Sequence, residues 1–234
     1  MKTILILGAS SDIGISLIKE ISKKNLEIYA HCNSSVNKLK KLKYKNLKIF
    51  KCDFSTLNDQ NFKIKLNKIV NKNFDYFVNL TGYISKSNFL KFKIDDQLCT
   101  LKVNVVIPNN ILSMVVKKMI SKNFGRIVNC SSIGIKFGGS KTTYNYSLSK
   151  FASEFIPTNY KDWAKQNVLI NNLRIGVTKT KLHKRIKKDL KKRIKLIPIN
   201  RAAEKQEIVK TIIFLISKDN SYMTGQTVTV SGGE

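Results

Sequence analysis

Two side chains suited to moving a proton stand four residues apart in Y-N-Y-S-L-S-K, residues 144–150. On a helix, Tyr146 and Lys150 share a face one turn apart. A free phenol, with a pKa near ~10, is poorly matched to proton transfer at neutral pH. An ammonium about 4–5 Å away, at an effective dielectric of about 20, favours the phenolate by roughly 3–4 kcal/mol. At about 1.36 kcal/mol per pKa unit, that brings the phenol down by roughly two to three. Tyr146 could then act as a general acid and, deprotonated, as a general base. Spacing alone does not establish this, because Tyr44 and Lys48 repeat it and the chain carries 38 lysines. Tyr44 and Lys48, however, straddle the entrance to an early strand, where residues four apart do not meet. Tyr144, two residues before Tyr146, points elsewhere on a helix and is assigned to the substrate entrance.

A second chemical signal is I-L-I-L-G-A-S-S-D-I-G, residues 4–14. A buried strand turns at Gly8, which can take backbone angles closed to other residues. The chain then enters a helix through Asp12 and Ile13, with Gly14 allowing close packing of helix on strand. Unpaired N–H groups and a partial positive charge at that helix start suit a pyrophosphate, and Ser10 and Ser11 add hydroxyl donors. At the next strand end the chain reads A-H-C-N-S-S, followed by Lys38 and Lys40. An enzyme selecting NAD usually has a carboxylate there for the ribose hydroxyls. Asn33, Ser34 and Ser35 can instead donate to a 2′-phosphate, so NADP(H) is the expected cofactor, with NAD(H) as the alternative.

These groups need a scaffold. Short apolar runs at 3–7, 26–30, 47–51, 75–80, 126–130, 169–174 and 226–230 read as strands. Helix-like segments alternate with them near 12–24, 59–71, 96–121, 144–165, 181–195 and 204–217. That alternation predicts a Rossmann-type, doubly wound parallel sheet of about seven strands in a single three-layer α/β/α domain, residues 1–234. Ligands of such sheets bind beyond the carboxyl ends of the strands, here just after residues 7, 31, 80, 130 and 174.

The formal net charge of +28 suggests a polyanion partner, but only five of the 43 basic residues are arginine. Lysine, asparagine and isoleucine are all abundant, the bias of an AT-rich genome that spreads lysines over every solvated face. No specific nucleic-acid partner is expected, only salt-sensitive sticking. Cys32, Cys52, Cys99 and Cys130 have neither metal-ligand spacing nor close pairing, so no metal and no disulfide is expected. The N-terminus does not read as a secretory signal. No apolar stretch nears the ~20 residues of a membrane helix, so a cytoplasmic protein is expected.

The glycine segment resembles the G-x-x-x-G-x-G fingerprint of the short-chain dehydrogenase/reductase family, with Asp12 in place of the middle glycine. That exchange is harmless only where residue 12 has helical angles. Tyr146 and Lys150 match the family's Tyr-x-x-x-Lys. In G-R-I-V-N-C-S-S, Ser132 takes the place of the family's catalytic serine, with Ser131 as the alternative. The resemblance implies that Ser132 stabilises the substrate oxygen and that Lys150 also holds the nicotinamide ribose. It implies further that Asn104, in L-K-V-N-V-V, anchors a water beside the lysine; a solvent-facing or helix-kinking asparagine is the alternative. C-D-F-S resembles the pair that holds the adenine, giving Asp53 and Phe54. N-L-T-G resembles the family's Asn-Asn-Ala-Gly turn, giving Asn79, Thr81 and Gly82. R-I-G-V-T-K-T resembles its Pro-Gly-x-x-x-Thr element, with Gly176, Thr178 and Thr180 toward the nicotinamide.

By the same resemblance, residues 178–200 form a lid over the substrate. Its stretch 179–195 has ten lysines and arginines against one acidic residue, and Leu182, Ile186, Leu190 and Ile194 form an apolar stripe. A basic lid suits a carbonyl substrate on an acidic carrier, such as acyl-carrier protein or a coenzyme A thioester, or a sugar nucleotide. His183, within the lid, reads as a surface residue. The ending Y-M-T-G-Q-T-V-T-V-S-G-G is similar to the 3-oxoacyl-[acyl-carrier-protein] reductase branch, which implies a homo-oligomer, tetramer or dimer. The function implied is hydride transfer between NADP(H) and a carbonyl or secondary alcohol, first a 3-oxoacyl thioester, with a sugar or sugar nucleotide as rival. A non-catalytic dinucleotide sensor is the remaining alternative.

Overall fold

The computed structural model describes residues 1–85, 88–91, 93–182 and 189–234. Seven strands, all paired in parallel, form one sheet in the order β3-β2-β1-β4-β5-β6-β7. They are β1 Lys2–Leu7, β2 Leu26–Cys32, β3 Leu47–Lys51, β4 Tyr76–Asn79, β5 Gly125–Ser132, β6 Val168–Ile175 and β7 Thr227–Val230. The order reverses between β1 and β4, which opens a crevice at their carboxyl ends.

Alternation along β1 shows why the sheet is covered on both faces. Ile4 and Ile6 pack into one core with Leu17, Ile18 and Ile21 of α1 (Asp12–Ile21) and Ile208 and Ile212 near the C-terminus. Leu5 and Leu7 pack into the other, with Phe62 and Leu66 of α3 (Asp59–Val70) and Ile111 and Val115. Successive side chains of a strand point to opposite faces, and all four are fully buried. α2 (Val36–Lys40) is a short turn before β3. The three layers therefore follow from the strand pattern.

Two helices depart from the expected spans. The segment expected at 96–121 runs as α4 (Ile94–Leu101), a π-helical turn (Lys102–Val106) and α5 (Ile107–Ser121). Pro108 has no N–H to give the carbonyl of Asn104, so the ordinary i→i−4 ladder fails there. Continuous helix from Ile94 to Ser121 is also long and apolar enough to cross a membrane. That corrects the expectation that no stretch qualifies. Its buried residues, Ile107, Ile111, Leu112, Val115, Val116 and Met119, pack within the domain. The helix expected over 144–165 is two, α6 (Tyr144–Ser153) and α7 (Tyr160–Lys165). Pro157 interrupts them, because proline disfavours helical angles in the residue before it.

α8 (Leu190–Ile194) and α9 (Lys205–Ile216) complete the chain. Leu190 and Ile194 pack on Val177, Ile197 and Ala202. His183 and Ile186 lie outside the described residues.

Candidate active site

The first strand end is built for close approach. Gly8 has φ +69°, and a Cβ there would lie 2.6 Å from the carbonyl oxygen of Leu80. Only glycine fits both conditions. Helix α1 then begins at Asp12, with the Ser11 hydroxyl accepting the Gly14 N–H at 3.1 Å. Residue 12 is helical and its φ is not positive, so the aspartate in place of the fingerprint's glycine is accommodated. Its carboxylate accepts the Lys181 N–H at 2.6 Å. Gly8, Ser10, Ser11, Asp12 and Ile13 face a cleft of about 1400 Å³, while Gly14 packs against Ala9 behind them.

The ends of β2 and β3 form the next wall. Asn33, Ser34, Ser35 and Lys38 line it, and residues 33–41, which follow β2, include no Asp or Glu. Asn33 hydrogen-bonds the carboxyl of Asp53, which also holds the Ser55 hydroxyl at 2.7 Å and N–H at 2.9 Å. These bonds, the Ser55 hydroxyl first, keep Asp53 below its ordinary range. The Phe54 ring, though at the cleft, is 2% exposed and stacked under His31 at 4.0 Å. Its ring is core. Asn79 is buried and does not line the cleft; its side chain accepts the N–H and hydroxyl of Thr81, shaping the turn. Gly82 lies beside Tyr146, with room for a Cβ.

Strand β5 and helix α6 bring the reactive groups together. Lys150 is 3% exposed, and its ammonium donates to the carbonyls of Thr81 at 2.6 Å and Cys130 at 2.7 Å. Burial lowers it to about 8, so it remains largely charged at neutral pH. Its Nζ lies 5.9 Å from the centre of the Tyr146 ring. Tyr146 hydrogen-bonds Ser132.

One expectation is overturned here: the phenol is not made acidic by the lysine. Burial raises it to about 12, and the Ser132 bond is the opposing influence. Removing a phenolate from water outweighs an ammonium whose protons already point at two carbonyls.

The two serines are also distinguished. Ser131 is buried, its hydroxyl accepting the Ser132 N–H at 2.6 Å and reaching the Lys150 carbonyl at 3.4 Å. Ser132 carries the bond to Tyr146 and caps the 3₁₀ turn Ile133–Phe137 through the Gly134 N–H. Asn104 is fully buried in the π turn, so it does not face solvent. Its amide accepts the Tyr83 N–H at 2.7 Å and donates to the Tyr83 carbonyl and the Ser149 hydroxyl, both at 2.9 Å. It ties the loop after β4 to α6.

The alternative tyrosines fall away. Tyr144 packs edge-on against Phe89 and does not line the cleft. Lys48 pairs with Glu27 rather than Tyr44.

The last wall holds Gly176, Thr178 and Thr180. A Cβ on Gly176 would lie 2.5 Å from the Ser231 Cα, so glycine lets the tail pass. Sequence reasoning missed three groups here: Arg193 pairs with the largely buried Glu234 and lies over the Phe137 ring at 5.4 Å, and all three line the cleft. No local motif marks contacts between residues so far apart. His31, also at the cleft, was passed over within A-H-C-N-S-S.

Comparison with known proteins agrees with this arrangement. A family model described as enoyl-(acyl carrier protein) reductase matches residues 8–234. The 3-oxoacyl-[acyl-carrier-protein] reductase of Thermotoga maritima is 30% identical, over 99% of this chain and 97% of its own. Among solved structures, 4-hydroxyisoleucine dehydrogenase complexed with NADH has a TM-score of 0.86 at 26% identity, covering 100% of this chain and 98% of that one. A 3-oxoacyl (acyl-carrier-protein) reductase from Agrobacterium tumefaciens C58 with NADP bound has a TM-score of 0.85 at 22% identity, covering 100% and 94%. With this fold, this cleft and these relatives, the chain belongs to the short-chain dehydrogenase/reductase family and is an NAD(P)-dependent oxidoreductase.

Proposed function

We propose that the protein is an NADP(H)-dependent reductase of 3-oxoacyl thioesters. The observation that carries the reading is the meeting of Ser132, Tyr146 and Lys150 in the cleft that begins at the Gly8 turn. The name of the Thermotoga relative supports the substrate. The amide and hydroxyls of Asn33, Ser34 and Ser35 with Lys38, and the lack of an acidic residue in the segment 33–41 that follows β2, support NADP(H).

The glycine turn fits a pyrophosphate, since a side chain at residue 8 would fill the approach. When bound, the dinucleotide supplies hydride to the carbonyl carbon. Ser132 hydrogen-bonds the substrate oxygen and stabilises its developing charge. Tyr146, protonated at neutral pH because its pKa is raised to about 12, gives its proton to that oxygen. Lys150 has two donors fixed on carbonyls, and its remaining one would serve the nicotinamide ribose. Asn104 positions the loop after β4.

The protein acts as a cytoplasmic homo-oligomer in this reading. Ile94, Leu98 and Val106 on one helical segment and Phe151 and Phe155 on or beside its neighbour α6 leave an exposed apolar face for a second copy. A sugar or sugar nucleotide is the second reading, favoured by the charged Arg193–Glu234 pair in the same cleft. NADPH oxidation with matched 3-oxoacyl thioesters, sugars and small ketones tests the proposal. Thioesters should be reduced fastest. Tight NADPH binding with no reduction of any of them would contradict it and leave a dinucleotide sensor.

A further inference from the structure

We infer that His31 is a positioning residue for the nucleotide: its neutral imidazole joins the glycine turn to the turn after β3, so that two walls of the cleft are held as one. The inference rests on reading this cleft as the dinucleotide site. His31 lies near the end of β2 and is 4% exposed. Its ring is parallel to Phe54 at 4.0 Å, with an interplanar angle of 2°, and tilted against Phe50 at 5.3 Å.

Both nitrogens are used. The Gly8 N–H donates to Nδ1 at 3.2 Å, and Nε2 lies 2.8 Å from the Cys52 carbonyl oxygen. For both contacts to be hydrogen bonds, Nδ1 must be bare and Nε2 must carry the proton. The ring is therefore neutral and in one tautomer.

The main chain makes parallel connections. The Ala9 N–H donates to the His31 carbonyl at 2.8 Å and the Cys52 N–H to the Cys32 carbonyl at 3.0 Å. The imidazole adds a side-chain brace that spans β1, β2 and β3 at once. One end holds the backbone of Gly8 in its left-handed conformation. The other holds the residue before Asp53 and Phe54. Asp53, whose carboxylate acts on the ring, is the charged neighbour on the β3 side, and the buried Cys52 thiol stands beside it. Loss of the imidazole would take a partner from the partly buried Gly8 amide and from the Cys52 carbonyl, at the two turns that meet the nucleotide.

His31→Phe retains the stacked ring without either hydrogen bond, whereas His31→Gln can accept from Gly8 and donate to Cys52. NADPH dissociation constants from cofactor fluorescence should rise ~10-fold or more in His31→Phe and return to within ~3-fold of wild type in His31→Gln. Turnover at saturating NADPH should change less than ~3-fold in both. Unchanged NADPH affinity in His31→Phe, or loss of turnover at saturation without loss of affinity, would overturn the assignment. Imidazole ¹⁵N NMR of the otherwise intact His183→Asn protein keeps the question decidable where His31→Phe fails to fold. His31 is then the only histidine, and its Nε2–H tautomer is expected with and without NADPH. A Nδ1–H tautomer would sink the inference. Failure of the wild-type protein to bind NADPH would instead remove the underlying reading, while the NMR spectrum would still report the brace.

Discussion

Two buried cations attend β5, one at each end, and they have opposite uses. Arg126 opens the strand and Lys150 docks against its far end, each 3% exposed. Among the described residues, neither has a carboxylate as hydrogen-bond partner. Arg126 gives Nε to the Asn220 carbonyl, Nη1 to those of Gly125 and Asn167, and Nη2 to the Asn167 side chain. Its planar fork is engaged at every nitrogen. Lys150 holds two carbonyls and, among the described residues, has one donor without a partner. The amino ends of the strands close the structure, while the carboxyl ends leave capacity for a ligand, as doubly wound sheets do. A cation becomes chemical here by being left incompletely satisfied.

Substitution should separate the two. Lys150→Met is expected to cut turnover ~10³-fold or more, since it removes the proposed ribose contact and the charge beside Tyr146. Its melting temperature should fall less than that of Arg126→Met, because Lys150→Met orphans two carbonyls rather than three and relieves the cost of burying the ammonium. Steady-state kinetics beside a thermal melt checks both, and substantial activity in that variant would erase the contrast. Arg126→Met should do the reverse. Urea unfolding should show a loss of about 2–4 kcal/mol from orphaned carbonyls, with turnover of the folded enzyme within ~3-fold of wild type.

A smaller effect sharpens the comparison by pH. Lys150 has a native pKa of about 8 against an ordinary 10.5. Between these values the unfolded chain holds the proton that the native protein has released. Lys150 therefore contributes stability that rises as pH increases from about 8 to about 10.5, by up to about 3 kcal/mol, set against the opposite contribution of the Cys130 thiol, which burial raises to about 12. Lys150→Met should lack this rise and Arg126→Met should keep it, as read from urea midpoints across that range.

How much of this was legible in the sequence follows the reach of each signal. The seven strands fall within two residues of the expected spans, because short apolar runs must be buried on both faces. The Gly8 turn and the Tyr146–Lys150 pair are local and were readable. Asn104 was legible as a residue of the long central helix, but neither its bonds to Tyr83 and Ser149 nor the π turn at Pro108 was. The break at Pro157 was missed because helical periodicity continues across it. The direction of the Tyr146 shift was missed because it depends on where the ammonium points. Lys150 reaches Thr81 across 69 residues of sequence, and no spacing rule foresees that. His31 and the Arg193–Glu234 pair were invisible for the same reason.

The central claim is that Tyr146 delivers the proton in a cleft that binds the cofactor without it. Turnover and NADPH affinity should be measured together in Tyr146→Phe, which removes one hydroxyl. The account predicts a ~10³-fold or greater loss of turnover with NADPH affinity unchanged. Turnover near the wild-type rate would contradict it.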